Sequence, residues 1–208
     1  MNAHRWQKDN ERNSQLYSEL VGSHGYDVKA LGWGSRQSQA VRFAVLSEVG
    51  KLTDASVLDV GCGLGDLYGW MTKKRLRVRY TGIDITPKMV EKAQKRFPRT
   101  EFRLCDLLDG SQPIVRHDYV LSSGIFTYRN TFAFDFLAAM VRRMFDLSKR
   151  AVAFNCLSAW VEKKERGEYS ADPLKVVSFC RQLTSRVVLR HDYHPGDFTV
   201  YLYKTDKR

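Results

Sequence analysis

Three glycines and four carboxylates at fixed places in this chain are the groups whose types and spacing point to chemistry. The stretch VLDVGCGLGD, Val57 to Asp66, runs apolar residues into Asp59 and then sets glycines at 61, 63 and 65. That reads as a buried strand entering a tight turn that opens a helix. Glycine suits such a turn because it accepts positive φ and lets a ligand approach the backbone. The first turn of the next helix offers unpaired N–H groups to the same ligand. RVRYTGID, Arg77 to Asp84, reads as a second strand ending in an acid, and EFRLCDLLD, Glu101 to Asp109, as a third with Asp106 just past its end. All of these fall on the side where open parallel sheets bind ligands.

The charges narrow the ligand. A dinucleotide fingerprint wants G-x-G-x-x-G with a pyrophosphate at the helix N-terminus. The third glycine would fall at position 66, which is Asp here, and Asp59 precedes the turn. Two carboxylates around the loop argue against a pyrophosphate and for a ligand carrying positive charge. S-adenosylmethionine fits: it has a sulfonium, an ammonium and no phosphate. Asp84 lies about 20 residues past the last glycine, the separation at which an acid reaches a ribose hydroxyl pair. Its carboxylate accepts from two vicinal hydroxyls at once. Asp106 is placed to accept from an adenine amino group while Leu107 packs on the ring.

The order VLDVGCGLGD, TGIDITPKMVEKA, FRLCDLL, HDYVLSSGIF resembles the class I, Rossmann-like S-adenosylmethionine-dependent methyltransferases over about positions 56 to 126. The resemblance implies that Gly61, Gly63 and Gly65 line the methionine part, with Asp59 near its ammonium. It implies that Asp84 holds the ribose hydroxyls, Ile85 covers the adenine face, and Asp106 with Leu107 holds the adenine. Met89, on the following helix, joins the cofactor-binding set. Ser122 and Ser123, after the fourth strand, are expected to face the sulfonium and the substrate. The flanks GWGSRQSQAVRF and HDYHPGDFTVYLY look like those of small bacterial methyltransferases. By the same resemblance, the N-terminal helical piece covers the cofactor, with Trp33 and Ser35 in its lid. S-adenosylhomocysteine is the implied product.

The elements that position these residues follow from pattern. Strands read at about 56–60, 78–84, 101–105, 118–122 and 151–156, and VVLRHDY with DFTVYLYK forms a closing antiparallel hairpin around HPG at 194–196. Helices read at about 66–74, 87–97, 131–147 and 172–184. Thr86 is expected as an N-cap with Pro87 at the first helical position. Strand alternating with helix predicts an α/β fold, a Rossmann-like seven-stranded, mostly parallel sheet with helices on both faces. Residues 1–50 carry two helical patterns, Leu16, Tyr17, Leu20, Val21 and then Val41 to Leu46. The expected organisation is one methyltransferase domain, 1–208, with an N-terminal helical lid over 1–50 and the core over 51–208.

Composition sets bounds. Two hundred and eight residues suit one domain with a good core. Cys62, Cys105, Cys156 and Cys180 are far apart, with no C-x-x-C pair. That argues for a reducing cytoplasm and against zinc or any other metal site. No apolar run approaches a membrane span, and MNAHRWQKDNERNSQ lacks the apolar core of a signal peptide. Lys and Arg number 34 against 23 Asp and Glu, a net charge of +11. A solvated basic surface accounts for this, while a basic stripe for nucleic acid stays open.

Methyl transfer from a sulfonium is an in-line displacement with a good leaving group, so orientation and desolvation supply most of the catalysis. A general base helps only if the acceptor is protonated. His24, His191, His194, Tyr17 and Tyr128 are candidates, but no spacing singles one out and the catalytic residue stays unknown. Tyr17, Phe126 and Tyr128 are expected in the substrate pocket. The (N/D)-P-P-(Y/F) box of amino methyltransferases is absent: Ser122-Ser123-Gly124-Ile125-Phe126 stands there. The expected acceptor is a small molecule. An RNA- or protein-directed enzyme and a non-catalytic S-adenosylmethionine-binding protein are the alternatives.

Overall fold

The computed structural model describes residues 3–27, 35–127, 131–162 and 167–205. Seven strands form one sheet: β1 (Ser56–Val60), β2 (Arg79–Asp84), β3 (Glu101–Leu104), β4 (His117–Ser122), β5 (Ser148–Leu157), β6 (Val187–Arg190) and β7 (Asp197–Tyr203). Their order is β3-β2-β1-β4-β5-β7-β6, and β7 alone runs against the rest. The expected sheet and its closing hairpin are therefore present. β5 is longer than its apolar run AVAFNC because it is paired on both edges, with β4 and with β7.

Alternation along each strand builds two apolar layers, as expected for a sheet covered on both faces. Val57, Tyr80, Phe102 and Leu121 pack with α2 (Arg36–Ser47), α3 (Asp66–Lys73) and α4 (Pro87–Arg96). Leu58, Val60, Val120, Phe154 and Val200 face the other way, onto α5 (Ala133–Leu147) and α6 (Pro173–Cys180). All four cysteines are free and buried in or beside these layers, consistent with their expected apolar role. Thr86 stands at the N-cap of α4 with Pro87 next, but its hydroxyl makes no capping bond; its N–H instead donates to Asp84 Oδ1 at 2.8 Å. Among the described residues no helix is long and apolar enough to cross a membrane.

The strand order reverses between β1 and β4, whose neighbours β2 and β5 lie on opposite sides. In open α/β sheets a ligand crevice opens at that switch point, outside the carboxyl ends of the strands. The helix α1 (Gln7–His24) comes to this edge and packs against α4 through Val21, which meets Leu64 and Met89. Trp6, just before α1, buries its ring edge-on against Phe136 of α5, with centroids 5.9 Å apart.

Candidate active site

A cavity of about 1100 Å³, open mouth included, sits at the carboxyl ends of β1 to β4. The glycine turn forms its floor. Gly61 and Cys62 donate their N–H groups to Ile83 O at 2.8 and 3.0 Å, folding the turn back onto β2. Gly61 has φ +74, and a Cβ there would lie 2.1 Å from Ile125 Cγ2, so no larger residue fits without moving that loop. Gly63 donates to Asp84 Oδ2 at 2.9 Å. Gly65 has a different role from the one expected. It is not on the cavity wall; at φ +75 it starts α3, where a Cβ would press on Phe102 and Phe97. It is the close-packing glycine between helix and sheet.

The acids differ in how they are held. Asp84 is buried and uses one lone pair of each oxygen on backbone N–H groups, those of Gly63 and Thr86. Burial pushes the Asp84 carboxyl above its ordinary value, and hydrogen bonds from the Gly63, Thr86 and Ile85 backbone and the Thr86 side chain oppose the shift. Asp59 is buried, accepts from the Tyr80 hydroxyl, and is pushed up to about 7. Desolvation dominates that shift; the tyrosine bond opposes it and the Asp84 and Asp66 charges add to it. Asp66, the second acid used to argue for a cationic ligand, is largely compensated: Arg96 Nη1 lies 2.5 Å from Oδ1. Gln39 Nε2 lies 3.4 Å from the other oxygen. The two-carboxylate argument thus rests mainly on Asp59. Asp106 accepts from Leu108 N at 2.9 Å and from Asn10 Nδ2 of α1 at 2.8 Å.

The Asp59 shift carries a sign for stability. The native state keeps a proton that the unfolded chain, at its ordinary 3.8, has released. Asp59 therefore favours the native state fully below pH 4, and that contribution is lost as pH rises towards 7, by at most about 4 kcal/mol. Asp59→Asn keeps an acceptor for Tyr80 and cannot ionise. Its urea midpoint is expected to fall less than that of the native protein between pH 4.5 and pH 8; parallel curves would refute the assignment.

Met89, Leu107, Ile85, Tyr17 and Ser123 line the cavity, with Asp59, Gly61, Gly63, Asp84 and Asp106. Ser122 does not: it is buried and donates to Val60 O at 2.8 Å, one residue inside the crevice. Phe126, expected in the substrate pocket, is a core residue packed edge-on against Phe154 and Phe136. Ser35, expected in the lid, is the exposed N-cap of α2 and accepts from Ser38 N at 3.1 Å. Trp33 and Tyr128 lie outside the described residues. None of the three candidate histidines is on the cavity wall. His24 is exposed at the end of α1, His191 is bonded to Ser158 at 2.8 Å, and His194 meets Asp197 at 2.8 Å.

Four polar wall residues were not anticipated: Asn10, Asn13, Gln39 and Thr86. A signal for the first two was present. Asn10, Asn13 and Tyr17 follow i, i+3, i+7 spacing, which puts them on one face of α1. Ser14 shares it, its hydroxyl 3.3 Å from Ile85 O. That inner face is polar because it covers a cavity rather than the core.

Residues 57–151 match the family described as "Methyltransferase domain". The chain is also 32% identical over 157 residues to "Putative methyltransferase Rv1506c" of Mycobacterium tuberculosis, spanning 72% of this chain and 93% of that protein. It belongs to the class I S-adenosylmethionine-dependent methyltransferases. Solved structures give the methyltransferase the same fold. Magnesium protoporphyrin IX methyltransferase from Synechocystis PCC 6803, with bound SAH, superposes with a TM-score of 0.67 at 16% identity, covering 96% of this chain and 98% of that one. A DhpI-SAM-HEP complex gives 0.65 at 16% identity, covering 99% and 100%. S-adenosylmethionine is thus the methyltransferase's cofactor, and the site suits it: Gly61 and Gly63 put side-chain-free backbone on the cavity wall, and the buried Asp84 carboxylate lies on the same wall.

Proposed function

We propose that this methyltransferase acts on a small-molecule acceptor, with the cofactor lying along the carboxyl ends from β3 to β1. In this reading Asp106, Leu107, Ile85 and Met89 surround the adenine. Asp84 accepts from both ribose hydroxyls, and Gly61 and Gly63 let the methionine part lie on the backbone with Asp59 beneath its ammonium. When bound, the cofactor supplies an electrophilic methyl group on a sulfonium whose leaving group is a neutral thioether. The chain's own residues orient the reactants and exclude water, which is where rate is gained in such a transfer. The helices α1 and α2 serve as the lid on a core that begins near residue 51, and the two make one domain.

The observation that carries the small-molecule reading is the roof. Asn10 bonded to Asp106 and Ser14 bonded to Ile85 O tie α1 across the cavity mouth, which suits an enclosed acceptor better than a polymer. The densest basic run, Lys73, Lys74, Arg75, Arg77 and Arg79, falls between the end of α3 and the start of β2, on the opposite edge of the sheet. Names among the fold neighbours point the same way: one is a magnesium protoporphyrin IX methyltransferase and another a plantazolicin methyltransferase. The test offers methyl-tritiated S-adenosylmethionine to the protein with panels of phenols, carboxylic acids, thiols and amines, beside total RNA and protein. Label is expected in a small molecule. Label confined to RNA or protein would overturn the reading, and binding without transfer to any panel would favour a non-catalytic role.

A further inference from the structure

Asn155, near the end of β5, is buried, and nothing above gives it a task. Its Oδ1 accepts from Gly124 N at 3.0 Å, and its Nδ2 donates to Ser123 Oγ at 3.0 Å. This orientation is dictated by chemistry. A backbone N–H can only donate, so the amide oxygen must face Gly124 and the NH2 must face Ser123. Ser123 Oγ therefore acts as an acceptor towards Asn155, and its own proton has to point elsewhere. Among the described residues no acceptor is in place for it, and Ser123 lies on the cavity wall.

The position tells what that proton meets. Asp59 of β1 pairs with Leu121 of β4, so Ser123 stands beside Gly61 at the open end of the crevice. With adenine at β3 and ribose at β2, as proposed above, the methionine part of the cofactor reaches β1 and β4. It carries an ammonium, which only donates, a sulfonium, which is no hydrogen-bond acceptor, and a carboxylate. Asp59 faces the same end and disfavours a further carboxylate unless a donor offsets it. We infer that Asn155 is a positioning residue that turns the Ser123 hydroxyl into a hydrogen-bond donor for the cofactor's α-carboxylate.

Asn155→Asp tests this with almost no change of shape. The new carboxylate still accepts from Gly124 N–H, but it cannot donate to Ser123, whose proton turns to it and leaves the cavity. The probes are S-adenosylhomocysteine and 5′-methylthioadenosine, which lacks the amino-acid part, both titrated by calorimetry. Asn155→Asp and Ser123→Ala are each expected to weaken S-adenosylhomocysteine about tenfold, the scale of one charge-assisted hydrogen bond. Methylthioadenosine affinity is expected to stay within about twofold, and the double variant to bind no worse than Ser123→Ala alone. Unchanged S-adenosylhomocysteine affinity in both single variants would overturn the inference. So would a parallel loss of methylthioadenosine, which would mark Asn155 as merely structural, or a double variant weaker than Ser123→Ala, which would mark direct repulsion. The inference rests on the proposed cofactor register, and Asp84→Ala separates the two: if that change leaves both ligands untouched, the register itself is wrong.

Discussion

Replacing Asp84 with alanine is expected to remove S-adenosylmethionine binding, with a loss of about 100-fold or more in titration calorimetry. Two effects add. In the proposed register the ribose hydroxyls lose a charged acceptor, and hydrogen bonds to charged groups contribute about 1.5–3 kcal/mol each. The glycine turn also loses its anchor, because Gly63 N and Thr86 N both donate to this carboxylate. Fold stability should change far less. Burial already disfavours the Asp84 anion, so its removal relieves a desolvation penalty while it orphans two N–H groups. A thermal melt alongside the titration therefore separates loss of the site from loss of the fold. Asp84→Asn keeps the shape but turns an NH2 group towards one of the two donors, so its loss should be intermediate. Wild-type affinity in Asp84→Ala would remove this residue from the cofactor site.

The largest stability effect is expected far from the glycine turn. Arg42 of α2 and Asp197 at the start of β7 form an ion pair whose side chains are 7% and 4% exposed. Arg42 also donates to Ser38 O at 2.9 Å, and His194 Nδ1 lies 2.8 Å from the same Asp197 oxygen. Asp197→Ala leaves a guanidinium buried without its counter-charge, a change that costs about 3–5 kcal/mol. At about 2–4 °C per kcal/mol for a chain of this size, the melting temperature should fall by about 10 °C. Replacing both partners with apolar residues of similar volume, as in Arg42→Met with Asp197→Leu, should recover most of the loss, because the cost lies in the unpaired charge. A drop below about 1 kcal/mol in Asp197→Ala would show the pair to be open to water. The pair has a bearing on the site as well. Gln39 and Phe43, on the same helix as Arg42, line the cavity, and the Tyr201 hydroxyl of β7 donates to Val45 O at 2.5 Å. Weakening this seam should loosen one wall of the cavity.

What was readable in the chain was what depends on near neighbours. Alternation and turn chemistry act over a few residues, so the strand–glycine turn–helix unit, the acids at the ends of β1 and β2 and just past β3, and the closing hairpin all stand where the pattern put them. The cofactor followed from the same local unit. Direction and pairing were another matter, because they are settled by packing across long separations. Ser122 and Ser123 are adjacent, yet successive strand residues face opposite ways, so one is bonded inside the sheet and the other reaches the cavity. Phe126 could have faced solvent, substrate or core; contact with Phe136 and Phe154 decided for the core. Asp66 looked like a free charge until α4 brought Arg96 to it from 30 residues away. Asn10 meets Asp106 across 96 residues, and Asn155 meets Ser123 across 32. The sequence by itself determined the fold, the cofactor and the strand ends that open on the cavity, since those follow from backbone periodicity and turn geometry. Only the tertiary structure decided which carboxylate stays uncompensated, which serine shows its hydroxyl and which helix closes the roof, since those depend on what the crossovers bring together.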